Sequence, residues 1–215
     1  MSIVPIFAAS FVGCFLVGVF LWKLWLLIVF VLLMILFIII YVHDSLLSNK
    51  FHYESAFWLF IFSEIMIFGS LFLCCLYYDS SGNVNLSDPL EIPFLGCFLL
   101  LGSSVTITGF HHLLGWAYSW ILLLFTIILG MAFVVLQIYE IWECEINLLS
   151  TSFYAGCFCT VGTHSSHVLL GVIGMCIILW TGVFRTNDYY CTVITWYWHF
   201  VDYIWLFVYM IVYVC

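Results

Sequence analysis

The sequence predicts an all-α polytopic membrane protein, a single membrane domain over residues 1–215. Three observations predict it. Hydrophobic residues make up 67% of the chain and charged residues 7%, too little charge to cover a soluble domain. The apolar residues come in runs about as long as the ~20 residues a bilayer span needs. Short polar stretches, Ser45 to Glu54 and Tyr78 to Pro93 above all, separate those runs. The length has room for six to eight spans, and the chain in order yields seven transmembrane helices, near 3–22, 24–43, 55–77, 93–113, 118–142, 153–181 and 192–213. Lys and Arg total three and the net charge is -8, so no nucleic-acid partner is expected.

Ile3 to His43 is apolar except for Lys23. One helix of that length would be roughly 60 Å long, about twice the hydrocarbon core. Two spans with a turn at Trp22-Lys23-Leu24-Trp25 fit better, the indoles at the interface and Lys23 reaching water. Pro5 to Trp22 lacks a charged leader and a small-residue cleavage site, so a span is expected there and not a signal peptide. His43-Asp44-Ser45 closes the second span.

The third span carries Ser63-Glu64 near its middle. An ionised carboxylate facing lipid there costs at least ~2.5 kcal/mol, so Glu64 is expected to be protonated or to face a polar cleft. The longest loop follows, and Asp88-Pro89 within it predicts a helix start. Asn85-Leu86-Ser87 has the spacing of a glycosylation acceptor. The fourth span holds Gly102-Ser103-Ser104-Val105-Thr106-Ile107-Thr108, small and hydroxylated residues that suit close helix packing, and ends in His111-His112. Leu114-Gly115-Trp116 is a tight connection to the fifth span, which ends in Gln137 and Glu140.

The last two spans each carry a polar stripe. In Gly162-Thr163-His164-Ser165-Ser166-His167 two imidazoles stand three apart. In Trp196-Tyr197-Trp198-His199-Phe200-Val201-Asp202 so do His199 and Asp202, which share a helix face. Such groups are costly in a bilayer and are expected to bond each other or a neighbouring helix. Trp196, Trp198 and Trp205 read as interfacial-belt and packing residues.

These stripes resemble the last two helices of subunit III of the haem-copper cytochrome c oxidases. Trp196 to Asp202, with Trp205, matches the last helix residue for residue. Gly162, His164 and His167 match the penultimate one, where Thr163 and Ser165 depart. Phe62 to Gly69, Pro89-Leu90-Glu91, Ser104 to Thr108, His111-His112 and Gln137 with Glu140 continue the resemblance, while Thr192 stands where the family often has Glu. From Phe57 to Tyr213 the resemblance rests on motifs, and before that on helix count and the His43-Asp44 ending.

The resemblance implies seven helices in two groups, two plus five, around a lipid cleft with Glu64 near it. It implies a non-catalytic core subunit of mitochondrial complex IV. Such a subunit packs against the haem-copper catalytic subunit I and other subunits, binds phospholipids and sustains proton uptake during O2 reduction. No active site, and neither cofactor nor metal, is expected in this chain; haem and copper belong to partner subunits.

Haem held by His111, His112, His164, His167 or His199 is the metal alternative. Two His at i, i+3 on one helix cannot clamp one haem from opposite faces, so interhelical hydrogen bonding is the expected use. Glu64 divides between a proton or lipid-cleft role and simple packing. His43, Trp58 and Arg185 are candidates for lipid head groups. The ten Cys form no zinc spacing and read as small hydrophobes. No residue set suits nucleophilic catalysis. A stand-alone proton-coupled transporter and a di-haem cytochrome are the other readings. Lys50 and Arg185 fall on the N-terminal side and most carboxylates on the other. The resemblance implies the mitochondrial inner membrane; basic loops stay on the side of synthesis, so the N-terminus is expected in the matrix and the C-terminus in the intermembrane space.

Overall fold

The computed structural model describes residues 15, 17, 18, 20, 21, 25, 26, 28–36, 54–79, 86–144, 146, 150–183 and 185–214. The chain divides into two compact units, Met1–His52 and Tyr53–Cys215. In the first, residues 28–36 are helical and the rings of Phe15 and Phe30 pack with centroids 4.8 Å apart. The turn expected across Trp22–Leu24 lies outside the described residues, as do Lys23, His43, Asp44, Lys50 and Asn85.

The second unit is all helix among its described residues. Five helices are long and apolar enough to cross a membrane. They are α1 Glu54–Tyr78, α2 Ile92–His112, α3 Ser119–Glu143, α4 Ser152–Thr181 and α5 Asp188–Val208, which runs on into a π-helical turn, Tyr209–Val214. Successive helices run in alternating directions. α1 packs on α4 and α5, α2 on α3 and α5, α3 on α4, and α4 on α5.

Local chemistry sets the helix ends. Asp88 makes a turn with its carboxylate accepting from the Leu90 N–H, and α2 starts only at Ile92, with Pro93 in its first turn. Pro lacks the N–H that the first turn leaves unpaired in any case. The helix start expected at Asp88-Pro89 is therefore an Asx turn that precedes the helix. Gly115, at φ +94°, makes the tight α2–α3 connection, a conformation that costs glycine nothing. Thr151 caps α4 and Asn187 caps α5, each accepting a backbone N–H in the first turn. The Asn187 cap starts α5 at Asp188 instead of near residue 192.

Burial runs against hydropathy. The last span, α5 with its π-helical turn, has the least apolar window of the five, and 50% of that window is buried, against 17% for the more apolar α1. Polar side chains such as Ser103, Thr126, Thr160 and His164 are buried within an otherwise apolar core, while large apolar ones such as Leu59, Val105 and Trp180 face outward, as a bundle in lipid requires. The centre is Trp198, fully buried. Its indole lies in a slot where Gly130 of α3 and Gly171 of α4 leave no room for more: a Cβ would stand 2.7 Å from the ring at Gly130 and 2.9 Å at Gly171. The indole N–H donates to Ser103 Oγ of α2 at 2.8 Å. Trp205 is also fully buried, edge-on to Phe133 at 4.7 Å. Of the three Trp read from sequence as belt and packing residues, Trp198 and Trp205 are therefore core. Their rings fit only because glycines face them. Trp196 stacks near Trp58 instead, at 5.3 Å.

Candidate functional site

Glu64 lies ten residues into α1, about 15 Å along it by the helical rise. Its Oε2 meets His167 Nε2 of α4 at 2.8 Å, the one ion pair found among the described residues. Each side chain is 12% exposed. On its other side His167 Nδ1 lies 2.7 Å from the Thr163 carbonyl. A carbonyl only accepts, so Nδ1 carries a hydrogen. The bond to Glu64 then holds one proton, whether drawn on oxygen or on nitrogen. The two forms, carboxylic acid with imidazole and carboxylate with imidazolium, have the same net charge. The pair can therefore move a proton across 2.8 Å without changing the charge it presents to its apolar surroundings. Phe68 closes one side, edge-on to the imidazole at 5.4 Å.

His164, three residues before, serves differently. It is fully buried, and Nε2 bonds the Val201 carbonyl of α5 at 3.1 Å. Again the carbonyl fixes the tautomer, leaving Nδ1 bare against aromatic neighbours.

His199 lies between two hydroxyls of α2. Ser104 Oγ stands 3.0 Å from Nδ1 and Thr108 Oγ1 3.3 Å from Nε2. Thr108 donates its own hydrogen to the Ser104 carbonyl, so its oxygen accepts from Nε2–H, and Ser104 donates to Nδ1. Asp202 is 3% exposed and neither carboxyl oxygen has a partner. The nearby Ser104 has one hydrogen, already given to His199. No hydrogen bond joins His199 to Asp202: the two share a helix, but each is directed to different surroundings. Of the pair read from sequence, His199 is held by the α2 hydroxyls and Asp202 is buried with no hydrogen bond.

Trp58 is exposed in the first turns of α1 and Arg185 is exposed in the α4–α5 connection, at the same end of the unit. His43, the third head-group candidate, is outside the described residues. Among those residues no group of three or more His, Cys, Asp or Glu could hold a metal ion.

Sequence reasoning missed a second buried carboxylate with partners. Glu140, 3% exposed, accepts from Ser87 Oγ at 2.7 Å and from Gln137 Nε2 at 2.8 Å. It ties the loop before α2 to the end of α3. The signal was the Gln137, Glu140 spacing, one helical turn apart. The Glu64–His167 contact itself was not read either, although each side chain stood out alone.

The model of the family described as cytochrome c oxidase subunit III matches residues 43–215. Among similar proteins, the cytochrome c oxidase subunit 3 of Locusta migratoria is 32% identical over 189 residues, 80% of this chain and 71% of that protein. The one from Drosophila melanogaster is 32% identical over 173 residues, 72% of this chain and 66% of that protein. The one from Myxine glutinosa is 31% identical over 189 residues, 80% of this chain and 72% of that protein. These matches span 66–72% of the relatives' own length, and the family match over 43–215 includes all five helices and every polar contact described above. On that match, over most of its length, the chain belongs to the cytochrome c oxidase subunit III family.

Proposed function

We propose that the chain is a non-catalytic core subunit of mitochondrial cytochrome c oxidase, complex IV, in the inner membrane. The oxidoreductase activity belongs to the assembly, whose haem and copper sit in partner subunits. In this reading the first 52 residues contribute two spans, giving seven helices in a two-plus-five arrangement around a lipid cleft. The N-terminus faces the matrix and the C-terminus the intermembrane space. The chain packs against the haem-copper subunit I, and Trp58 and Arg185, with His43, hold phospholipid head groups.

The observation that carries the reading, beside family membership, is the Glu64–His167 pair. A one-proton pair midway along apolar helices suits a subunit that sustains proton uptake in a neighbour better than one that merely fills lipid. Against a di-haem cytochrome stand the imidazole nitrogens already engaged: both of His167, both of His199 and one of His164 bond protein groups. Gentle solubilisation of the native membrane tests the proposal. The chain is expected to co-purify with haem-copper subunits and an oxidase spectrum. A chain that purifies alone, with or without its own Soret band, overturns it.

A further inference from the structure

The turn between α2 and α3 differs from the other connections in carrying no charge. Asp, Glu, Lys and Arg are all absent between Glu91 and Glu140, a stretch that covers α2, the turn and nearly all of α3. The α4–α5 connection lies at the same end of the unit and carries Arg185 and Asp188. Exposed aromatic rings stand on the α2–α3 turn instead: Trp116 is 57% exposed, Tyr118 59% and Trp120 43%. Trp116 and Tyr118 meet edge to face at 5.8 Å. Each of these side chains has an apolar body and one polar handle, the form that suits the layer between hydrocarbon and water.

The backbone of the turn is bonded to itself. The Leu113 N–H donates to the Gly109 carbonyl at 3.0 Å, Trp116 to Leu113 at 3.0 Å and Ser119 to Trp116 at 3.2 Å. A segment that leaves bulk water needs such internal partners. Helix length fixes how far the turn can reach. α2 follows directly on Glu91 and has 21 residues, about 31 Å by the helical rise. That equals the ~30 Å hydrocarbon core. With Glu91 at one water boundary, the turn arrives at the far edge of the hydrocarbon and projects no further, because Gly115 reverses the chain at once. α4, with 30 residues, is about 45 Å long and carries its connection beyond that edge. The side chains that α2 and α3 expose below the turn, Val105 and Phe125 among them, are apolar, so the lipid that covers the helices also meets the turn.

We propose that the α2–α3 turn is an interfacial anchor seated in the lipid head-group layer, with Trp116, Tyr118 and Trp120 among the ester carbonyls and upper acyl chains. Its partner is the bilayer surface itself. The turn has no Lys or Arg, so it does not select anionic lipid as a basic cluster would. The anchor fixes the depth of the α2–α3 hairpin, and with it the depth of the α2 hydroxyls that hold His199.

The test uses the intact protein in its native membrane and needs no substitution. One sample is loaded with a phosphatidylcholine that carries a diazirine at the glycerol end of an acyl chain, then illuminated, and the adducts are mapped by peptide mass spectrometry. A parallel sample is exposed to hydroxyl radicals made in the aqueous phase, and oxidation of Trp116 and Tyr118 is rated against the denatured chain. The expected result is lipid adducts within residues 113–120 together with oxidation several-fold slower than in the denatured chain. Oxidation near the denatured rate places the turn in water and overturns the proposal. Slow oxidation without lipid adducts places a protein partner over the turn and overturns it as well.

Discussion

Glu64 and His167 face each other at 2.8 Å from helices that run in opposite directions, and the Thr163 carbonyl behind the imidazole determines how many protons they share. Glu64→Gln keeps the shape and can donate its amide hydrogen to His167 Nε2, so assembly is expected to survive. What it removes is the proton the pair can exchange. Reduced proton uptake at normal subunit content is the expected outcome, measured by turnover and inactivation of the purified oxidase. His167→Ala leaves the Glu64 carboxyl with no partner and is expected to cost about 1–3 kcal/mol. Thermal denaturation of the complex should show the two changes coupled: the double variant loses less than the sum of the single ones.

The Trp198 slot predicts a steric failure. Gly130→Ala and Gly171→Ala each place a Cβ under 3 Å from a ring that has nowhere to go. Each is expected to destabilise the subunit by about 1–3 kcal/mol, read as lower yield and an earlier thermal transition. Combining Gly130→Ala with Trp198→Phe should recover part of the loss, since the smaller ring yields space even though the Ser103 bond goes. Gly69, whose Cβ would meet nothing within 4 Å, is the control and should tolerate Ala.

The helices were legible because membrane spans are set by local hydropathy and length, which a sequence displays. The polar contacts were legible only as candidates. His164 with His167 and His199 with Asp202 are the same i, i+3 spacing, yet in neither pair do the two side chains serve one another. The pitch of a helix separates residues three apart by about 60° of rotation, enough to send His164 into the core and His167 to α1. Which neighbour each meets depends on the register of another helix, and register rests on glycines whose importance shows only when the facing ring is known. The core role of Trp198 and Trp205 was hidden for the same reason: an indole reads alike whether it meets glycine or a lipid head group.

Glu140 is expected to hold the loop before α2. Glu140→Ala leaves the Ser87 hydroxyl and the Gln137 amide without their acceptor, at a cost of about 1–3 kcal/mol. Hydrogen exchange should rise through residues 86–91 and stay unchanged at Glu64 and His167, which share no contact with this cluster. Uniform loss of protection across all five helices would show that Glu140 supports the whole bundle and not one loop.

His164 and Asp202 are both buried, but removing them should have opposite effects. His164 gives a hydrogen bond to the Val201 carbonyl across the α4–α5 interface, so His164→Ala loses a bond and opens a cavity beside Phe133 and Trp205, with an expected cost of about 2–5 kcal/mol by analogy with other large-to-small core changes. Asp202 receives no hydrogen bond at either oxygen, so its carboxyl contributes only the cost of being out of water. Replacing such a group by one of similar shape is neutral or stabilising. Asp202→Leu is therefore expected to leave the thermal transition of the isolated subunit unchanged or to raise it. A fall as large as that of His164→Ala would mean that Asp202 has a donor in the folded chain, and the Ser104 hydroxyl would then have to serve it in place of His199.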